Sequence, residues 1–380
     1  MTAMQSAPPV EDVPRRTAFR TDRAGELGAS AGAGLALVWA PFHLLNLNAP
    51  LGFVVCWFAA FVTIYGVVVR QRHGQLEVKD ELATVVIISA SLVALLPLIL
   101  VLYYVLSKGG RALFTNFPSF PFIRQDMTHY LPSGPLSKAG MKAAIVGTIE
   151  QVGLATSVSV PLGILAATYL NEIGGRYAAV IRTVADAMTG LPSIIAGLLI
   201  YFVWVIPRAP NGRSGLAAAM ALSIVMLPTV VRTAEEVLRI VSNSLREAAL
   251  ALGAPEWRTI LQVVIPTART GLVTATILGV ARAIGETAPV LLTSLGNNRT
   301  VWNPFAGGQP QSDLPLQIYS LVRQPRGSSV SVAWGGALVL MIMILTLFTL
   351  ARILGAGTIG SRRRPSPARH IRQLADRVKR

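Results

Sequence analysis

From Ala83 to Leu106 the chain carries no charged side chain, and apolar runs of comparable length recur at about 30–47, 51–69, 141–170, 177–206, 215–232, 267–294 and 331–354. A hydrocarbon core about 30 Å thick is crossed by roughly 20 apolar residues in an α-helix, so each run is long enough to span or nearly span a bilayer. Lipid offers no hydrogen-bond partner to the backbone, which leaves helices and closed barrels as the spanning structures. The ten-residue alternating segments of a barrel are missing from the sequence. The fold class expected is therefore an all-α membrane protein, with a six-helix core behind an extra N-terminal two-helix hairpin. Composition agrees, with 52% hydrophobic and 14% charged residues among 380 and a mean hydropathy of +0.55.

Changes in composition divide the chain. Residues 1–30 form a basic cytoplasmic tail, 31–70 a transmembrane hairpin turning at Asn46, Asn48 and Pro50, and 71–82 a charged cytoplasmic linker. The core occupies 83–355 and contains a cytoplasmic loop at about 233–266, and a second basic tail fills 356–380. Two polar loops interrupt the core. The first, Ser107 to Gly140, carries Phe114, Phe117, Phe120 and Phe122 and is expected to lie along the membrane surface. The second, Gly296 to Ser329, has room for a short helix from Leu314 to Leu321, and both loops are expected on one side.

The formal charge of +16 is concentrated in the tails, at Arg15, Arg16, Arg20 and Arg23 and again from Arg362 to Arg380, rather than interleaved with aromatics on a soluble domain. This distribution argues against nucleic acid and for membrane topology, since Lys and Arg accumulate on the cytoplasmic side. Both termini are read as cytoplasmic, in a multi-pass membrane protein. Eight spans satisfy that reading and place the loop from Arg232 to Pro266 inside as well. The basic C-terminal tail is taken to set topology, with anionic membrane lipid as its other candidate partner. The polar N-terminal segment does not have the form of a cleavable signal. Cys56 is the sole cysteine, and four scattered histidines have no metal-ligand spacing, so no metal site is read.

The cytoplasmic loop contains Glu247-Ala248-Ala249-Leu250-Ala251-Leu252-Gly253, followed by Val263-Val264-Ile265-Pro266. Asn243 and Ser244 are candidate helix caps, with Glu247 near the positive end of the helix dipole. Ala248, Ala249, Ala251 and Gly253 then present a surface of small residues. Pro255 opens a second short helix through Trp257 to Val264, which Pro266 ends. A plain helical hairpin would show the same pattern. Its position before a span and its full spacing resemble the EAA loop of ABC importer permeases, a resemblance that implies a coupling surface for a separate ATPase, with Glu247, Ala248, Ala249, Gly253 and Pro266 as its residues.

Charges inside apolar runs are the second signal, because each costs roughly 2.5–3.5 kcal/mol near the bilayer centre on insertion scales. Arg282 and Glu286 stand four apart, the spacing of one helical face. Either they form a structural ion pair, or Arg282 offers a guanidinium fork to an oxyanion in transit while Glu286 orients it. Arg182 and Asp186 repeat the spacing near the cytoplasmic start of another span, where Arg182 either snorkels to the interface or joins the path. Glu150 is a further path residue and a potential arginine partner. No G-x4-G-K-[ST] loop, G-x-S-x-G elbow or H-E-x-x-H helix occurs. No catalytic residue and no cofactor is therefore assigned to this chain, and ATP and magnesium belong to a partner.

Several segments carry a resemblance: Leu131-Pro132-Ser133-Gly134-Pro135, Pro161-Leu162-Gly163-Ile164, Tyr169-Leu170-Asn171-Glu172, Gly190-Leu191-Pro192-Ser193-Ile194 and Ala281-Arg282-Ala283-Ile284-Gly285-Glu286-Thr287-Ala288-Pro289. Over about 80 to 355 the chain resembles the PstA permeases of phosphate ABC importers, which have a MetI-like core. Gly285-Glu286-Thr287-Ala288-Pro289 favours that type over its PstC sister. The resemblance implies a homologous PstC-like permease, a PstB-like ATPase dimer and an extracytoplasmic phosphate-binding protein as partners. It also implies contact of Glu247, Ala248, Ala249 and Gly253 with the ATPase, and a phosphate path at Arg282 and Glu286. The alternatives are a permease for sulfate, molybdate or phosphonate, a chiefly phosphate-status signalling component, and an anion channel.

Overall fold

The computed structural model describes residues 24–45, 47, 49–114, 119–131, 134–324 and 327–356. The arginine-rich tails that fix the expected orientation, along with Asn46, Asn48 and Phe117, lie outside the described residues. Seven helices are long and apolar enough to cross a membrane, and an eighth crossing is supplied if one bent helix pair counts as a span. The chain divides into two compact units, Met1–Val101 and Leu102–Arg380.

In the first unit, α1 (Ala24–Leu44) and α2 (Pro50–His73) form the expected hairpin. Gly34 brings α1 against the backbone of Phe61, where an added Cβ would lie 3.0 Å from the Phe61 nitrogen. The Trp57 indole donates to the Ala31 carbonyl at 3.0 Å, and Arg72 pairs with Glu26 at 2.9 Å. The charged linker proves to be helical. Only Gly74, at φ +90°, separates α2 from α3 (Gln75–Tyr104).

The second unit opens with α4 (Gly110–Leu113) and α5 (Pro121–Arg124), which lead into α6 (Lys142–Thr168). Phe122 is buried in a core with Met127, Met141 and Leu314, so the first loop is packed into the protein there rather than spread along the membrane. The cause lies in Gly335, whose missing side chain leaves the space that the Phe122 ring fills.

The run read as one span at 177–206 is broken. α7 (Ala178–Gly190) and α8 (Ser193–Ile200, prolonged to Arg208) meet at 104°. Pro192 is responsible, because proline disfavours helical geometry in the residue before it, and Leu191 is extended at φ −74°, ψ 130°. The run at 267–294 is broken too. α12 (Ile265–Ile284) stops at Gly285, and α13 (Ala288–Thr293) restarts with proline in its first turn, a position where the missing N–H is harmless.

α9 (Gly215–Arg239) is the axis of this unit, packing on α6, α7, α8, α12 and α13. Gly163 on α6 and Gly279 on α12 both face Val230 of α9, and an added Cβ would lie 2.7 and 2.6 Å from its methyl carbons. Between helices in lipid, close packing of this kind replaces the hydrophobic drive available in water. The sequence continues through α10 (Asn243–Ala251), α11 (Glu256–Thr259), α14 (Leu314–Val322) and α15 (Gly327–Ala356).

The two polar loops do meet. Met127 N–H donates to the Asn298 carbonyl at 3.0 Å, and the Thr300 amide and hydroxyl both donate to Asp126.

Candidate functional site

The Glu-Ala-Ala segment lies on α10, a helix with no buried residue. Its cap is Ser242, one residue before the candidates Asn243 and Ser244, and it accepts from the Ser244 amide at 3.3 Å. Glu247 consequently stands beyond the first turn and points to solvent with Ala248, while Ala249 is half-buried. At the other end Gly253 adopts φ +80°. Its N–H donates to Leu250 at 2.9 Å and the Ala254 N–H to Ala249 at 3.2 Å, the paired bonds of a Schellman cap. Leu245, Leu250, Leu252 and Trp257 are exposed around this turn.

Pro266 does not end the second helix. α11 continues through a π-turn, Ile260–Val264, directly into α12, making one span from Glu256 to Ile284. Proline lacks the N–H and crowds the preceding turn. The wider π-turn immediately before it accommodates both defects.

Arg246 is the residue of α10 that turns back to the membrane bundle. Its guanidinium grips Glu172, at the end of the α6 span, with Nε–Oε2 at 2.9 Å and Nη2–Oε1 at 2.7 Å. It also donates to the carbonyls of Val241 at 2.6 Å and Leu238 at 3.1 Å. The hydrogen bond to Glu172 raises the Arg246 pKa above the ordinary arginine value, so the guanidinium stays charged at every physiological pH.

Arg182 and Asp186 reach across to α9 rather than to each other. Arg182 meets Glu235 at 2.9 Å, and Asp186 pairs with Arg232. Glu235 is only 3% exposed and also accepts from Arg232 at 3.1 Å and Arg239 at 3.4 Å. A buried carboxylate needs such partners. Glu235 stands three residues after Arg232 and four before Arg239, a local signal the sequence reading passed over, whereas its link to Arg182 and that of Arg232 to Asp186 join residues about fifty apart.

Arg282 sits in the last turn of α12 and Glu286 just beyond its end, with Nε and Oε1 3.9 Å apart. The Arg282 side chain is 44% exposed. Glu150 meets Gln311, not an arginine. Gln311 is almost wholly buried and also joins Gln151, Ser294 and the Val301 carbonyl, fixing the second loop to α6. Beside this loop an open cavity of ≈ 530 Å³ is lined by Asn297, Asn298, Ser312, Gln317, Ser320 and Arg323. Among the described residues no group of three or more potential metal ligands occurs.

Residues 159–359 match the family model described as binding-protein-dependent transport system inner membrane component. The chain is 35% identical over 305 residues to "Phosphate transport system permease protein PstA 1" of Mycobacterium tuberculosis, covering 79% of this chain and 94% of the relative. It is 40% identical over 223 residues to "Phosphate transport system permease protein PstA" of Pasteurella multocida, covering 58% of this chain and 78% of the relative. A solved structure of the MetNI methionine ABC transporter in an inward-facing conformation aligns with a TM-score of 0.45 at 16% identity. That alignment covers 57% of this chain and 94% of that one.

Proposed function

The chain belongs to the binding-protein-dependent transport permeases, within the PstA family, and from that membership we propose that it is a membrane-spanning subunit of an ATP-driven importer of inorganic phosphate. The observation that carries the reading is α10, a solvent-facing helix of small residues set between two membrane helices and holding the Glu-Ala-Ala motif. It presents Glu247, Ala248, Ala249 and the Gly253 turn to a cytoplasmic ATPase, and Pro266 lies within the following span, just after its π-turn.

Binding and hydrolysis of ATP with magnesium take place in that partner, and the chain itself makes and breaks no covalent bond. A PstC-like permease completes the path, a PstB-like ATPase dimer drives it, and an extracytoplasmic binding protein delivers phosphate. The protein resides in a bacterial inner membrane with both termini in the cytoplasm. Arg282 engages the anion by a forked, charge-assisted hydrogen bond. Glu286 limits how long the anion is held, because a permeant ion must also leave. Arg182 contributes positive charge nearer the cytoplasmic end, and Glu150 lines the opposite end.

The test is uptake of radiolabelled phosphate into vesicles containing the full complex, with excess sulfate as competitor. Uptake should require ATP, resist sulfate, and fall at least about ten-fold in Arg282→Gln, the scale on which loss of a charge-assisted contact is felt. Sulfate inhibition equal to that by unlabelled phosphate would move the assignment to another oxyanion.

A further inference from the structure

We propose that Arg246 and Glu172 form the link that transmits movement of α10 into the membrane helices, so that transport per ATP depends on this pair. The inference rests on α10 being the ATPase surface, and it assigns a positioning role to Arg246, on the side of that helix turned to the bundle, and to Glu172.

No residue of α10 is fully buried, so its apolar packing on α11 and the π-turn is partial. Arg246 supplies the attachment. Two of its nitrogens clamp both oxygens of Glu172, and the same guanidinium reaches the carbonyls of Leu238 and Val241 at the end of α9. One planar group therefore ties α10 to the ends of both α6 and α9. Glu172 is itself fixed, with its side chain 5% exposed and Oε1 accepting from Asn171 at 2.6 Å. Two parallel bonds set the relative angle of guanidinium and carboxylate as well as their distance. A displacement of α10 must then carry α6 and α9 with it or break the clamp. Lysine offers a point charge on a flexible stem and would not fix that angle.

The experiment uses the assembled transporter in vesicles, measuring ATP hydrolysis and phosphate uptake together for wild type, Arg246→Gln, Glu172→Gln, the double variant and Arg246→Lys. Each single variant should retain the ATPase in the complex and hydrolyse ATP within about two-fold of wild type, while uptake per ATP falls about ten-fold. The double variant should be no worse than the worse single one, the non-additivity of two groups acting through one contact. Arg246→Lys should fail to restore the ratio. If Arg246→Gln does not fold, Glu172→Gln and Arg246→Lys read the same quantity. An unchanged ratio in the single variants, multiplied losses in the double, or departure of the ATPase from the complex would overturn the proposal. Failure of the underlying coupling reading is distinguishable, since it appears as uptake at the wild-type rate in Glu247→Arg, whatever the Arg246 and Glu172 variants do.

Discussion

At the residue scale, the coupling turn depends on one backbone conformation. Gly253 closes α10 at φ +80°, and nothing lies within 4 Å of where a side chain would begin. Gly253→Ala therefore meets no clash and suffers only the left-handed penalty, about 1–2 kcal/mol. The expected result is faster amide exchange across residues 243–254, with the membrane helices unchanged. Protection equal to wild type would show that the turn tolerates an ordinary residue. Glu247, Ala248, Ala249 and Gly253 were legible because their spacing is local. Arg246 is adjacent to them yet went unread, since its meaning depends on Glu172, 74 residues earlier. For Arg282 and Glu286 the spacing was read on a continuous helix, whereas Gly285 and Pro289 break it.

At the element scale, apolar length located the helices but not their bends. Pro192 carried the signal for the break between α7 and α8. Unbroken apolarity on both sides of it favoured a single span, and the 104° turn depends on what α7 packs against. That packing includes Glu235 with its three arginines. Glu235→Ala should lower the thermal stability of the purified complex by about 3 kcal/mol, the low end for a broken buried pair because the arginines keep access to water. An unaltered melting temperature would mean that the carboxylate is not held as described.

The start of α14 offers a pH test in a segment outside the membrane spans. Asp313 caps this helix by accepting from the Leu316 amide at 2.9 Å, and burial raises its pKa from 3.8 to about 7. The folded state then binds a proton that the unfolded state has released between those values. This contribution to stability is full below about pH 4 and is lost as pH rises through about 7. Asp313→Asn keeps an acceptor and should flatten that part of the thermal stability profile; a profile that keeps its slope would place the titration elsewhere.

At the scale of the whole molecule, the second unit has two differently built ends. At one, α10 is exposed and held to α6 and α9 through Arg246; at the other, the two polar loops are locked together through Asp126 and Thr300 and fixed to α6 through Gln311. α9 runs between them with its length buried against its neighbours. An exposed element tied to a fixed bundle through one side-chain clamp is the form expected of a part that moves with a partner and carries the bundle with it. Glu247, on the solvent face of α10, makes no contact that the chain itself needs, so its reversal probes the partner rather than the fold. The decisive measurement compares ATP-driven phosphate uptake by the assembled complex carrying wild type or Glu247→Arg at equal membrane insertion. Uptake should collapse in the variant, and uptake at the wild-type rate would contradict coupling through this helix.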